Sequence, residues 1–132
     1  MSVSFGGMGE VVATFKTNGV VKAGNPVKMQ SNGTVQACSN SDRFCGIAIS
    51  VADDGYATVQ LGGYMKATYS GSAFSVGYAH ALAASDGKVK ADAGTESSVT
   101  VDSDTLTVTK YTGSEVLVVE VDTTAKTVGF IM

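Results

Sequence analysis

Two ten-residue stretches of this chain carry one pattern: residues 28–37 read KMQSNGTVQA and residues 82–91 read LAASDGKVKA. Each sets Ser-Asn-Gly or Ser-Asp-Gly before x-Val-x-Ala, with a short segment on either side. Asn-Gly and Asp-Gly tolerate positive φ at both centres of a type I′ turn, whose twist matches two paired strands. The chain therefore specifies hairpins. No residue cluster in it indicates a reaction from spacing alone, so function has to be approached through architecture and resemblance.

Of the 132 residues, 19 are Val and 14 are Thr. These β-branched side chains are stiff at χ1 and fit a pleated surface, which favours strands over helices. The pattern predicts strands over 10–16, 27–30, 34–38, 44–51, 56–61, 64–69, 76–84, 88–91, 99–101, 106–111, 115–121 and 127–132. Val20-Val21 reads as a further extended run. Pro26 stands where a strand can begin without donating a backbone bond. Tyr78–Ala84 carries helix-friendly alanines, but its parallel with the first hairpin favours a strand. Glu115–Val121 is apolar at nearly every position, as in a strand covered on two sides. Asp92–Ser97 reads as a polar connector. The expected fold is all-β: a single small β-barrel or sandwich of about ten short antiparallel strands over residues 10–132, with residues 1–9 as a flexible N-terminal arm.

Only 16% of residues are charged and Trp is absent, which equips the chain sparsely for a fully solvated surface. An exterior partly hidden in an assembly fits better. The net charge of −3 and pI of about 4.9 argue against nucleic acid, whose phosphates demand a basic face. Apolar runs are far too short for a membrane-spanning helix. The opening MSVSFGGMGE has neither a basic n-region nor a long apolar core, so synthesis and use in the cytoplasm are expected.

Each candidate site has a plain structural reading beside the chemical one. His80, the single imidazole, lies among alanines without a nucleophile motif, and a satisfied strand histidine is favoured over catalysis. Asp53, Asp54, Asp102, Asp104 and Asp122 sit beside turn residues, where Asp stabilises bends, and no Asp-x-Asp-x-Asp-Gly loop with a distal Glu occurs. Cys38 and Cys45 flank a short loop. A disulfide is possible if the flanking strands pair, but two reduced, mostly buried thiols are favoured. Gly6-Gly7-Met8-Gly9 follows no strand and precedes no Lys-Ser/Thr, so it is not a phosphate loop. No cofactor or metal site is expected. The Gly-rich arm does carry the apolar side chains Val3, Phe5 and Met8, suited to docking on a neighbour. Tyr56, Tyr64, Tyr69, Tyr78 and Tyr111 could line a sugar platform, although strand tyrosines more often line barrels or interfaces.

Residues 18–71 combine Gly-x-Pro-Val, an Asn-Gly hairpin, a Phe-x-Gly-Ile-Ala strand and an alternating run ending in Gly-Tyr. With the C-terminal VVEVDTTAKTVGF, this order resembles capsid decoration (cement, or head-stabilising) proteins of tailed bacteriophages and related head-fibre bases. The resemblance implies a structural, non-enzymatic virion protein, assembled in the host bacterial cytoplasm. It would bind the major capsid protein on the outer surface of the head, often as a homotrimer. It also implies an N-terminal arm lying on the capsid floor, a role that Val3, Phe5 and Met8 match in position and composition. A tail or fibre module recognising a cell-surface glycan or protein is the alternative.

Overall fold

The computed structural model describes residues 9–132, and among these there is no helix. Twelve strands are present among the described residues: β1 (Val11–Thr17), β2 (Pro26–Ser31), β3 (Thr34–Ala37), β4 (Gly46–Val51), β5 (Tyr56–Gly62), β6 (Tyr64–Thr68), β7 (Gly77–Ala83), β8 (Val89–Ala91), β9 (Thr95–Val101), β10 (Asp104–Lys110), β11 (Ser114–Asp122) and β12 (Thr127–Ile131). The all-β expectation is met.

The first five strands form a closed barrel in the order β1-β3-β2-β4-β5, and five of the remaining strands form a sheet in the order β6-β12-β11-β7-β8. These two assemblies are built alike. In each, the second and third strands make the hairpin of the repeated sequence phrase. The fourth strand pairs antiparallel with the second and the fifth, and the fifth pairs with the first. Closure repeats as well. The β1–β3 contact is parallel, and Tyr69 after β6 bridges Val89 of β8 in parallel. The Asn18 N–H donates to the Val35 carbonyl at 2.9 Å, and the Ser70 N–H donates to the Val89 carbonyl at 2.9 Å. Even the register irregularity recurs, between Ala48 and Ser50 in one half and between Val118 and Glu120 in the other. The chain thus contains one five-strand plan twice. The duplicate differs mainly in its connection from third to fourth strand. This loop is residues 38–45 in the first half; in the second it is residues 92–113, which contain the β9–β10 hairpin.

The halves do not have wholly separate interiors. Val21, Val27, Val35, Ala48 and Val59 pack inside the first barrel. Phe44 and Ile47, from the same half, instead join the second core with Met65, Tyr69, Val116, Val118 and Phe130. Phe44 and Phe130 lie tilted with ring centroids 6.3 Å apart. Reciprocal 3.2 Å backbone hydrogen bonds between Gly63 and Met132 tie the junction of the halves to the C-terminus.

Four local expectations change. Val20 and Val21 lie in the β1–β2 loop, because Asn18 hands its N–H to β3 and the chain leaves the sheet there; Val21 still turns inward and is buried. Thr95–Ser97 belong to β9 rather than to a connector, since they pair with Lys110, Thr109 and Val108 at the stem of the hairpin that β9 forms with β10. The β11 strand buries Val116 and Val118 on one face only; Leu117 and Val119 are half-exposed. Finally, Val11 is exposed although Ala13 and Phe15 turn inward, because the register slips between Val11 and Val12.

Candidate interaction surfaces

Val3, Phe5 and Met8, the arm residues singled out from the sequence, lie outside the described residues. Description begins at Gly9, which lies against Gly63, so the arm joins the body where β5 passes into β6. The adjoining Val11 and Val12 are exposed. Apolar side chains also stand out at a second place, and they do so in both halves. The loop from first to second strand exposes Val20 (78%) in the first half and Val76 (70%) in the second.

The β9–β10 hairpin is a third surface. Its strands pair with each other and with no other strand among those described. Its turn residues Asp102 and Ser103 both have positive φ, 48° and 74°, as a two-residue hairpin loop requires. The uninterrupted register puts Val99 opposite Leu106 and places Val101 and Val108 on the same face. All four are solvent-exposed: Val99 51%, Val101 60%, Leu106 61% and Val108 48%. Directly paired strand residues share a face, so the other face is Glu96, Ser98, Thr100, Thr105, Thr107 and Thr109. The hairpin itself is legible in the sequence, whereas its one-sided character emerges only with the register. Its trace in the sequence is the alternation of Val and Leu with Thr and Ser.

Asp92 sets the base of the hairpin. Its carboxylate accepts hydrogen bonds from the Gly94 N–H at 2.9 Å on one stem and from the Thr112 and Gly113 N–H groups at 3.0 and 2.9 Å on the other. Burial pushes this carboxyl up, but the three donors outweigh it and hold it below the ordinary aspartate range. Beside it, Tyr111 stacks on His80, ring centroids 4.2 Å apart and planes within 7°. His80 Nε2 lies 3.9 Å from Glu115 Oε2, and Tyr78, two residues before His80 on β7, is 79% exposed. The five tyrosines divide: Tyr69 is in the core, Tyr64 is half-buried with its hydroxyl donating to the Glu120 carboxylate, and Tyr56, Tyr78 and Tyr111 are exposed.

Two of the turn aspartates make local hydrogen bonds. Asp54 accepts from the Tyr56 N–H, and Asp122 accepts from Thr124 and Ala125, whose N–H groups lower its pKa. Among the described residues no three His, Cys, Asp or Glu side chains converge on a metal-sized space. Cys38 and Cys45 are free thiols. Ala37 and Gly46 both pair with Val27, so β2 runs between the strands that the cysteines flank, and those strands do not pair. Burial, with the Asp42 carboxylate adding to it, pushes the Cys38 thiol up to about 12. Burial raises Cys45 too, so neither has thiolate character at neutral pH. No helix among the described residues is long and apolar enough to cross a membrane.

Comparison with protein-family models, with curated proteins and with solved structures finds no match for this chain.

Proposed function

We propose that this protein is a structural, non-enzymatic virion component that binds the outer surface of a phage head and stabilises the capsid. Its partner is the major capsid protein, and a homotrimer is its working form. The resemblance of residues 18–71 and of the C-terminal run to decoration proteins supports this reading. The observation that carries it is the placement of exposed apolar side chains on a sparsely charged body: Val20 and Val76 at matching loops, and Val11 and Val12 beside the arm. A duplicated plan presents such contacts twice within one chain. A shell that repeats the chain many times then turns a modest affinity per site into a large effect on particle stability. Val3, Phe5 and Met8 extend the same contact from the arm.

The test is quantitative. Purified particles should contain this protein at a copy number comparable to the major capsid protein; a handful per particle would refute a shell role. Removal of residues 2–9 should abolish binding to expanded capsids, and full occupancy without them would exclude the arm.

A tail or fibre module that binds a cell-surface glycan is the second reading. The highly exposed Tyr78 beside the stacked His80 and Tyr111, with the Glu115 carboxylate at hand, favours it. Binding of purified protein to host cells, lost in Tyr78→Ala, would select this reading over the first.

A further inference from the structure

We propose that the apolar face of the β9–β10 hairpin docks the same face of a second copy of this chain, the two hairpins lying antiparallel across a two-fold axis. This contact is independent of whatever the barrels bind.

The first step is that the face needs cover. A two-stranded hairpin is marginally stable alone in water and gains stability from a third strand or from packing. Here neither strand pairs with either five-stranded assembly, and Val99, Val101, Leu106 and Val108 point together into solvent. The opposite face, made of Thr and Ser with Glu96, is suited to water. Edge-to-edge pairing would extend the sheet but leave the four apolar side chains wet, so covering them takes a face-to-face contact.

Charge placement then selects the occupant. The face ends in Asp104 beside the turn and in Lys110 at the stem, six residues further along the same strand and on the same side. A second hairpin laid antiparallel brings its Lys110 to Asp104 and its Asp104 to Lys110, with the four apolar side chains enclosed between. A parallel arrangement sets like charges against each other at both ends. The surface is therefore complementary to itself in one orientation, as an isologous two-fold contact demands. Its size sets its strength. Seven residues per strand make a face about 24 Å long and about 10 Å wide. That lies well below the roughly 1,200 Å² buried by stable complexes, so the contact is weak and concentration-dependent.

Sedimentation of the full-length protein between about 10 µM and about 1 mM tests this directly. The expected result is a reversible doubling of mass with rising concentration. Leu106→Lys should weaken that step at least about tenfold, and Asp104→Lys or Lys110→Asp alone should weaken it clearly. The exchange D104K/K110D should restore it, because the antiparallel pairs are re-formed with their signs reversed. All these side chains are exposed, and unchanged circular dichroism would confirm that the variants fold. Three outcomes would overturn the proposal. One is a constant mass over the whole range, which would leave the face to a different partner. Another is doubling indifferent to Leu106→Lys, which places the contact on an edge or a barrel wall. The third is failure of the exchange variant to recover, which excludes the antiparallel arrangement.

Discussion

Ser114 Oγ donates a buried hydrogen bond to the Phe44 carbonyl at 3.1 Å, joining the first residue of β11 to the segment that leads into β4. The Phe44 ring continues the contact by packing against Phe130 in the second core. Two similar halves are thereby fastened through one residue of the first and two of the second.

The fastening predicts a single unfolding transition in urea for both halves. Phe44→Ala should lower stability by about 3–5 kcal/mol, through lost burial and the cavity left behind. Ser114→Ala should cost about 1–3 kcal/mol, because the Phe44 carbonyl stays buried without its partner. Two separate transitions in the parent protein would contradict the shared core.

Tyr69 offers the opposite sign. Its hydroxyl is buried with no hydrogen-bond partner among the described residues, while its ring packs edge-on against Phe74, centroids 5.9 Å apart. Tyr69→Phe keeps the packing and removes the unsatisfied group, so it should raise stability by about 1 kcal/mol in chemical denaturation.

Gly46 opens the fourth strand of the first half, and Gly113 immediately precedes the fourth strand of the second. A Cβ on Gly46 would sit 2.2 Å from the Gln60 carbonyl oxygen, and one on Gly113 would sit 2.5 Å from that of Ala81. Both obstacles are backbone and cannot turn aside. Ala at either position should cost more than about 3 kcal/mol, against about 1 kcal/mol for Gly19→Ala, where only the positive φ of 75° opposes the change. Comparing thermal midpoints of the three variants checks the ranking.

Asp92 makes the hairpin base acid-sensitive. Its pKa is lower folded than unfolded, so the stability it contributes is complete above the unfolded value of about 3.9 and is lost as pH falls through the folded value. Asp92→Ala should loosen the stems at neutral pH, by about 1–3 kcal/mol locally. Faster amide exchange at Gly94, Thr112 and Gly113, with the barrel amides unchanged, is the expected pattern.

Cys38 titrates in the other direction. Its thiol is raised from 9.0 to about 12, so the protonated form is favoured in the fold. That contribution is complete below pH 9 and is lost as pH rises towards 12, giving an alkaline limit to stability. At pH 8 alkylation of folded Cys38 should run about a thousandfold slower than in urea-unfolded protein. Equal rates would mean that the thiol is not shielded.

What the sequence revealed was what depends on neighbours along the chain. Asn32-Gly33 and Asp86-Gly87 mark their hairpins locally, and Pro26 marks the start of its strand. Of the four turn residues only Gly33 and Gly87 take positive φ, so the type I′ geometry expected of both centres is not adopted. The alternation of Tyr56–Leu61 announces a half-buried strand, with Ala57 and Val59 inward. What stayed hidden depends on residues far apart. The parallel closure by Lys16–Thr17 against Thr34–Val35 has no local signature. Asp92 reads as a loop residue because two of its three donors lie some twenty positions away. The duplication was masked by the hairpin inserted into only one half, and by valine-rich strands that look interchangeable until their register is known. For the arm, Val3, Phe5 and Met8 rest on sequence alone.

All five strands of the closed barrel are contained in residues 11–62, so this half is complete before the rest of the chain has left the ribosome. N-terminal units generally fold first during synthesis. The nascent barrel must nonetheless wait with Phe44 and Ile47 uncovered, since the cavity that receives them is made from strands translated later. That interval is the moment in the life of this molecule when it is most vulnerable to the wrong neighbour, and a chaperone that grips exposed aromatic and branched side chains would find its handle there.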